Sequence, residues 1–97
     1  MAYQHHYLDG SPLALPIGKV VCIGRNYLDH IRELNNEAPE TPILFMKPAT
    51  ALLGLDESIR LPKGRGECHH EVELAVLIGR ELQNANIETA RQAVAGY

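Results

Sequence analysis

The segment from Cys68 to Gly79 constrains the fold more than any other part of the sequence. It reads Cys-His-His-Glu-Val-Glu-Leu-Ala-Val-Leu-Ile-Gly, so charged residues alternate with apolar ones and an apolar run follows. Successive side chains of a β-strand point to opposite faces, which puts Glu71 and Glu73 on the same face. Apolar residues at every later position are typical of a strand covered on both sides. The segment therefore predicts a strand that enters a core and carries two carboxylates at the point of entry.

Two carboxylates at the edge of a core repel each other and lose hydration, so raised pKa values, a basic side chain or a cation must compensate for this cost. A basic side chain can do this, and so can Mg²⁺, Mn²⁺ or Ca²⁺, which prefer oxygen ligands. The alternative is a solvated strand end at which Glu71 and Glu73 simply face water. His69 and His70 are adjacent and point to opposite faces of a strand, so at most one of them lies beside the glutamates.

The remaining elements are predicted from apolar runs, turn signals and capping residues. Asp9-Gly10-Ser11-Pro12 indicates a hairpin turn, and Asn26 and Asn86 are plausible helix caps. The predicted elements are a hairpin of Tyr3–Tyr7 with Leu13–Leu15, a buried strand over Lys19–Gly24, a helix over Tyr27–Leu34, a buried strand over Ile43–Met46, a short strand over Ser58–Leu61 and a helix from Ile87 to about Ala95.

Two further features carry candidate chemistry. His30 and Glu33 stand three residues apart in the predicted helix, so they share a face, and a carboxylate that accepts one imidazole N–H orients the ring as a base. An ordinary charged helix surface is the alternative for that spacing. Lys47 ends the apolar run Ile43–Met46, where its charge either reaches solvent or meets an anionic ligand.

Composition limits the classes of function that need considering. The chain has 97 residues, enough for one domain, and a formal net charge of −3 from 9 Lys+Arg and 12 Asp+Glu. It lacks the basic excess of a nucleic-acid-binding protein and an apolar run long enough to span a membrane. The N-terminus has no signal-peptide pattern and the two cysteines suggest no disulfide framework, so we expect a cytoplasmic protein.

These segments together resemble the fumarylacetoacetate hydrolase family, and most closely its short single-domain branch of acylpyruvate hydrolases and oxaloacetate decarboxylases. The resemblance extends from about Lys19 to Tyr97. The order and spacing of the motifs make it specific. The motifs on which the resemblance rests are Cys22-Ile23-Gly24-Arg25-Asn26-Tyr27, Asp29-His30 with Glu33, Leu44-Phe45-Met46-Lys47-Pro48, and His70-Glu71-Val72-Glu73-Leu74.

The resemblance implies an α+β, mainly β fold, a rolled mixed β-sheet of the fumarylacetoacetate hydrolase C-terminal-domain type, here truncated. It implies an Mg²⁺- or Mn²⁺-dependent enzyme that cleaves a C–C bond in β-dicarbonyl acids such as acylpyruvates and fumarylpyruvate, or decarboxylates oxaloacetate, through an enolate stabilised by the metal. Isomerisation of related keto-acids is the other activity that the resemblance implies. Glu71 and Glu73 match two of the three metal-binding carboxylates. A homodimer is the assembly that the family implies.

The resemblance also implies roles for residues outside the carboxylate pair. His30 and Glu33 match the dyad that activates water on a lid-like helix, and Lys47 matches a lysine that faces the site. Arg25, within the first motif, is the candidate substrate-binding residue. Family members are about twice as long, so residues 1–97 correspond to the N-terminal part of a single catalytic domain. The alternative is a catalytically incomplete fragment that acts as a strand-pairing interaction module.

Overall fold

The computed structural model describes residues 2–24, 26–27 and 41–97 of the chain. In these ranges the regular elements are short and mostly strands. They are β1 (Val20–Gly24), β2 (Ile43–Lys47), a 3-10 turn (Ala49–Ala51), β3 (Leu77–Ile78), α1 (Ile87–Gln92) and β4 (Val94–Gly96). The chain divides into two compact units, Met1–Ile59 and Arg60–Tyr97. No helix within the described ranges has the length and apolar character that crossing a membrane requires.

The predicted N-terminal hairpin is present as a narrow turn with a single bridge between His6 and Pro12. The Tyr7 N–H donates to the Ser11 carbonyl at 2.8 Å. Asp9 stabilises the turn, since its carboxylate accepts from the Ser11 hydroxyl at 2.6 Å and from the Ser11 N–H at 2.8 Å. These hydrogen bonds lower the pKa of Asp9, and the one from the Ser11 hydroxyl has the largest effect. Gly10 adopts φ +88°, a left-handed conformation that glycine reaches without strain.

The first unit contains a two-stranded antiparallel sheet of β1 and β2, in which Cys22 lies opposite Phe45 and Val20 opposite Lys47. Both strands were predicted, and their positions are confirmed. Their predicted burial on both faces is wrong: β1 alternates between exposed and half-buried residues, and every residue of β2 is exposed. Burial on both faces requires layers above and below a sheet, and the described residues supply none over β2.

The second unit is built around β3, α1 and β4. Asn86 caps α1 as predicted, because its side-chain oxygen accepts from the Thr89 N–H at 2.8 Å. The helix ends at Gln92 and not near Ala95, where the sequence pattern placed its end. Residues 94–96 instead form β4, which pairs antiparallel with β3, and the Gly79 N–H donates to the Ala93 carbonyl at 2.8 Å. The backbone N–H and C=O groups that a longer helix would use are therefore hydrogen-bonded between strands.

Two further predicted strands differ from the structure, and one predicted helix lies mostly outside the described residues. The strand predicted over Cys68–Gly79 is limited to Leu77–Ile78, and residues 68–76 have no regular secondary structure. Residues 58–61 likewise form no strand. A strand exists only through pairing with a neighbour, and β4 reaches only the end of the longer segment. Of the helix predicted over Tyr27–Leu34, Tyr27 has no regular structure and residues 28–34 lie outside the described residues.

The packed core of the described residues is small. Ala93, 3% exposed, is the single buried apolar residue among them. It sits between α1 and β4, where the helix end and the β3–β4 pair meet. Arg80 adds a contact to the same region, since its guanidinium donates a hydrogen bond to the Gln92 carbonyl at the end of α1. This arrangement fixes the C-terminal end of the segment that carries the glutamates.

Candidate functional site

Lys47 is the last residue of β2 and lies opposite Val20 in the β1–β2 register. Pro48 follows it, has no N–H to donate, and accepts from the Ala51 N–H at 3.0 Å through its carbonyl. The strand therefore ends immediately after the lysine, and the lysine is exposed. The exposed position brings the ammonium group to solvent, one of the two roles that the sequence left open, and contact with an anionic ligand stays a prediction.

Glu71 and Glu73 lie in the second unit, ahead of β3, and both are exposed. The sequence left two alternatives open for them, the mouth of a core and a solvated strand end, and their exposure agrees with the second. The apolar residues between and after them are exposed as well, Val72 at 88% and Val76 at 48%. The segment pairs with β4 at Leu77 and Ile78, and no layer formed by the described residues buries the two carboxylates.

Glu67 is a further carboxylate, four residues before Glu71, that was not among the residues predicted from the sequence. Its carboxylate lies 3.1 Å from Nε2 of His69, with the two side chains 89% and 78% exposed. The signal that could have found it is spacing, since residues 67, 69, 71 and 73 share one face of a strand. An exposed pair of this kind contributes little to stability. His69 thus has a local partner, and His70 is exposed.

Three of the predicted site residues lie outside the described residues. They are Arg25, predicted to bind substrate, and His30 and Glu33, predicted to activate water. Lys47 belongs to the unit Met1–Ile59, whereas Glu71 and Glu73 belong to the unit Arg60–Tyr97.

The donor set can be compared with what a hard divalent cation needs. Glu71 and Glu73 offer carboxylate oxygens, the ligand type that Mg²⁺ and Mn²⁺ prefer. Within residues 2–24, 26–27 and 41–97, no three His, Cys, Asp or Glu side chains come together in a way that could hold a metal ion. The chemistry of the pair fits such a cation, and the described residues provide only this part of its ligand set.

Comparison with known proteins identifies what the sequence resembles. A family model described as "Fumarylacetoacetate (FAA) hydrolase C-terminal" matches residues 19–97. Oxaloacetate tautomerase YcgM of Escherichia coli (strain K12) is 52% identical over 95 residues, which make up 98% of this chain and 43% of the relative. The mitochondrial oxaloacetate tautomerase FAHD1 of Bos taurus is 42% identical over 78 residues, 80% of this chain and 35% of the relative.

A solved structure shows the same likeness in three dimensions. The crystal structure of a fumarylacetoacetate hydrolase family protein from Yersinia pestis CO92 matches with a TM-score of 0.92 at 46% identity. The match covers 98% of this chain and 44% of that one. It confirms the predicted fold class, α+β and mainly β, in truncated form. The chain spans less than half the length of these relatives.

Proposed function

Because the chain belongs to the fumarylacetoacetate hydrolase family, we propose that residues 1–97 are the N-terminal part of a catalytic domain that acts on a small 2-oxo acid. Oxaloacetate is the favoured substrate, since three relatives that match 80% or more of the chain are named oxaloacetate tautomerases. The observation that carries the proposal is the Glu71–Glu73 carboxylate pair, which lies inside the region that the family model matches. A homodimer in the cytoplasm is the proposed working form.

The proposed reaction is the interconversion of the keto and enol forms of oxaloacetate. In the direction of the keto form, the enol O–H loses its proton and the adjacent carbon gains one, so atoms and charge balance without a further reactant. The intermediate between the two forms is an enolate, whose negative charge is the quantity that an active site must stabilise.

Glu71 and Glu73 are the proposed ligands of Mg²⁺ or Mn²⁺. The cation, when bound, supplies positive charge beside the developing enolate. Lys47 is proposed to place its ammonium group near the anionic substrate, which its exposed position at the end of β2 supports. Arg25 is proposed to bind a substrate carboxylate, because a guanidinium donates two parallel hydrogen bonds to such a group.

Hydrolysis of an acylpyruvate or fumarylpyruvate, and decarboxylation of oxaloacetate, are the alternative reactions. Hydrolysis needs an activated water, and His30 oriented by Glu33 is the proposed base, on the strength of their spacing in the sequence. The water attacks the distal carbonyl, the C–C bond breaks, and the enolate of pyruvate leaves. Decarboxylation produces the same enolate with loss of CO₂, so all three reactions share one requirement for charge stabilisation.

The test is a turnover assay on the protein isolated from its source or expressed from the complete gene. Loss of the enol absorbance of oxaloacetate reports tautomerisation, whereas release of pyruvate from oxaloacetate or from an acylpyruvate reports the alternatives. We expect Glu71→Gln to lower the metal-dependent rate about 100-fold or more, because it removes a ligand of the cation proposed to stabilise the enolate, and the loss of one preorganised charge stabiliser has costs of that order. Removal of divalent cations by a chelator should have a similar effect.

Glu81→Gln is the matched control, because Glu81 is another exposed carboxylate of the second unit and lies outside the motif. Its rate should stay within about twofold of the unaltered protein, as for a surface substitution away from any site. A Glu71→Gln variant that keeps full metal-dependent turnover contradicts the proposal. If the only turnover observed is release of pyruvate, the reaction is hydrolysis or decarboxylation and not tautomerisation.

A further inference from the structure

Arg80 lies two residues after β3 and joins this end of the strand to the end of α1. Its guanidinium donates a hydrogen bond to the carbonyl of Gln92, twelve residues further along the chain. Gln92 is the last residue of α1, so its carbonyl is among those that a helix leaves without a partner inside the helix. A positive charge at this end also complements the helix dipole. Arg80 therefore attaches the residues that follow β3 to a defined point of α1.

The contacts of β3 and the residues after it follow a regular order up to a single register shift. Three successive positions have partners that advance by one residue each: Arg80 with Gln92, Gly79 with Ala93 and Ile78 with Val94. The next pair is Leu77 with Gly96, so Ala95 is the extra residue of β4, as in a β-bulge. Bulges bend a strand, change the direction of its side chains, and are common next to active sites. The shift lies where the glutamate-bearing segment enters β3.

The register at this point affects the carboxylates ahead of it. Three residues separate Glu73 from Leu77, so the Cα atoms of the two are at most about 14 Å apart. Successive strand residues face opposite sides, and a slip of one residue therefore turns every side chain of a strand to the other face. A slip at β3 would change the position and direction in which the chain leaves the strand towards Glu73 and Glu71.

Arg80 opposes such a slip because the carbonyls on either side of its acceptor already have donors. The Ala93 carbonyl accepts from the Gly79 N–H at 2.8 Å. The Arg91 carbonyl accepts from the Ala93 N–H. A slip of one residue in either direction would bring the guanidinium to one of these two carbonyls and away from that of Gln92. The hydrogen bond of Arg80 therefore favours the observed register over its two neighbours.

We propose that Arg80 is a positioning residue for the candidate metal-binding carboxylates, Glu71 and Glu73. Its hydrogen bond to Gln92 holds β3 in register and fixes one end of the segment that carries them. This inference rests on the proposed function, in which the two carboxylates bind the cation. Ligand groups have to be held to within about 0.5 Å of their working geometry, so a loosened attachment lowers the affinity for the metal.

The test uses protein expressed from the complete gene and compares Arg80→Ala, Arg80→Lys and Arg91→Ala. The first readout is the binding of Mn²⁺ alone, measured by the loss of the free-ion electron paramagnetic resonance signal. Arg80→Ala should weaken Mn²⁺ binding about tenfold, the lower end of what the loss of a group behind the metal ligands costs. Arg80→Lys should restore most of this affinity, because an ammonium group also donates hydrogen bonds.

Two controls separate positioning from a change of charge or of stability. Arg91→Ala removes another exposed arginine, in the last turn of α1, and should leave Mn²⁺ binding unchanged. Asn86→Ala weakens the opposite end of α1 and retains the arginine at position 80, so it should weaken Mn²⁺ binding less than Arg80→Ala does. Weakening by either control that equals the effect of Arg80→Ala overturns the proposal, and so does unchanged binding in Arg80→Ala.

The second readout needs no metal. In the metal-free protein, the backbone amide cross-peaks of Glu71 and Glu73 should shift in Arg80→Ala and return towards their original positions in Arg80→Lys. If the unaltered protein does not bind Mn²⁺, the proposed metal site fails, and these cross-peaks still decide whether Arg80 positions the segment. Cross-peaks that stay in place in Arg80→Ala overturn the positioning role. The proposed function and this inference therefore fail on different measurements.

Discussion

At the scale of single residues, Gly79 is a position where one added methyl group would meet another side chain. A Cβ built there lies 2.8 Å from Cβ of Ala95, and the Gly79 N–H donates to the Ala93 carbonyl. We expect Gly79→Ala to destabilise the β3–β4 pair by about 1–3 kcal/mol, as overpacking does, and Ala95→Gly in the same chain to restore it. Hydrogen exchange of the residue-79 amide measures this. Gly18→Ala is the control, since nothing lies within 4 Å of its Cβ; equal exchange in all variants would contradict the contact.

At the scale of secondary structure, α1 depends on Asn86, the capping residue that precedes it. A six-residue helix is too short to persist on propensity alone, and the Asn86 side chain satisfies the Thr89 N–H at its start. We expect Asn86→Ala to destabilise the helix by about 1 kcal/mol. The Cα chemical shifts of residues 87–92 should then move upfield, from helical towards random-coil values. Asn86→Asp keeps an acceptor and adds a charge that favours the helix N-terminus, so it should retain those shifts. Equal shifts in the alanine and aspartate variants would show that the cap is not what holds α1.

At the scale of the whole molecule, the described residues contain one buried apolar side chain, Ala93. A fully packed domain of 97 residues unfolds with an enthalpy of roughly 70 kcal/mol near 60 °C. Since so little apolar surface is buried in the described ranges, we expect the 97-residue chain alone to unfold with a much smaller enthalpy and over a broad temperature range. Differential scanning calorimetry measures both. A sharp transition with an enthalpy near that of a packed domain would contradict this expectation.

The sequence predicted the positions of several elements because their signals are local. The hairpin at Asp9 and Gly10 follows from turn chemistry, and the Asn86 cap follows from the hydrogen-bonding needs of a helix start. The strands at residues 20–24 and 43–47 follow from short apolar runs. The family was also predictable, since its motifs are residue types at fixed spacings and the family model matches residues 19–97.

The sequence by itself thus determined the family, the candidate residues and the elements whose causes lie within a few neighbouring positions. Tertiary structure decided what depends on distant partners. It limited the strand of the glutamate-bearing segment to Leu77–Ile78, and it ended α1 at Gln92 because residues 94–96 pair with that strand. It also left Glu71 and Glu73 exposed. The physical reason is that pairing and burial belong to two surfaces at once, whereas an apolar pattern describes only one of them.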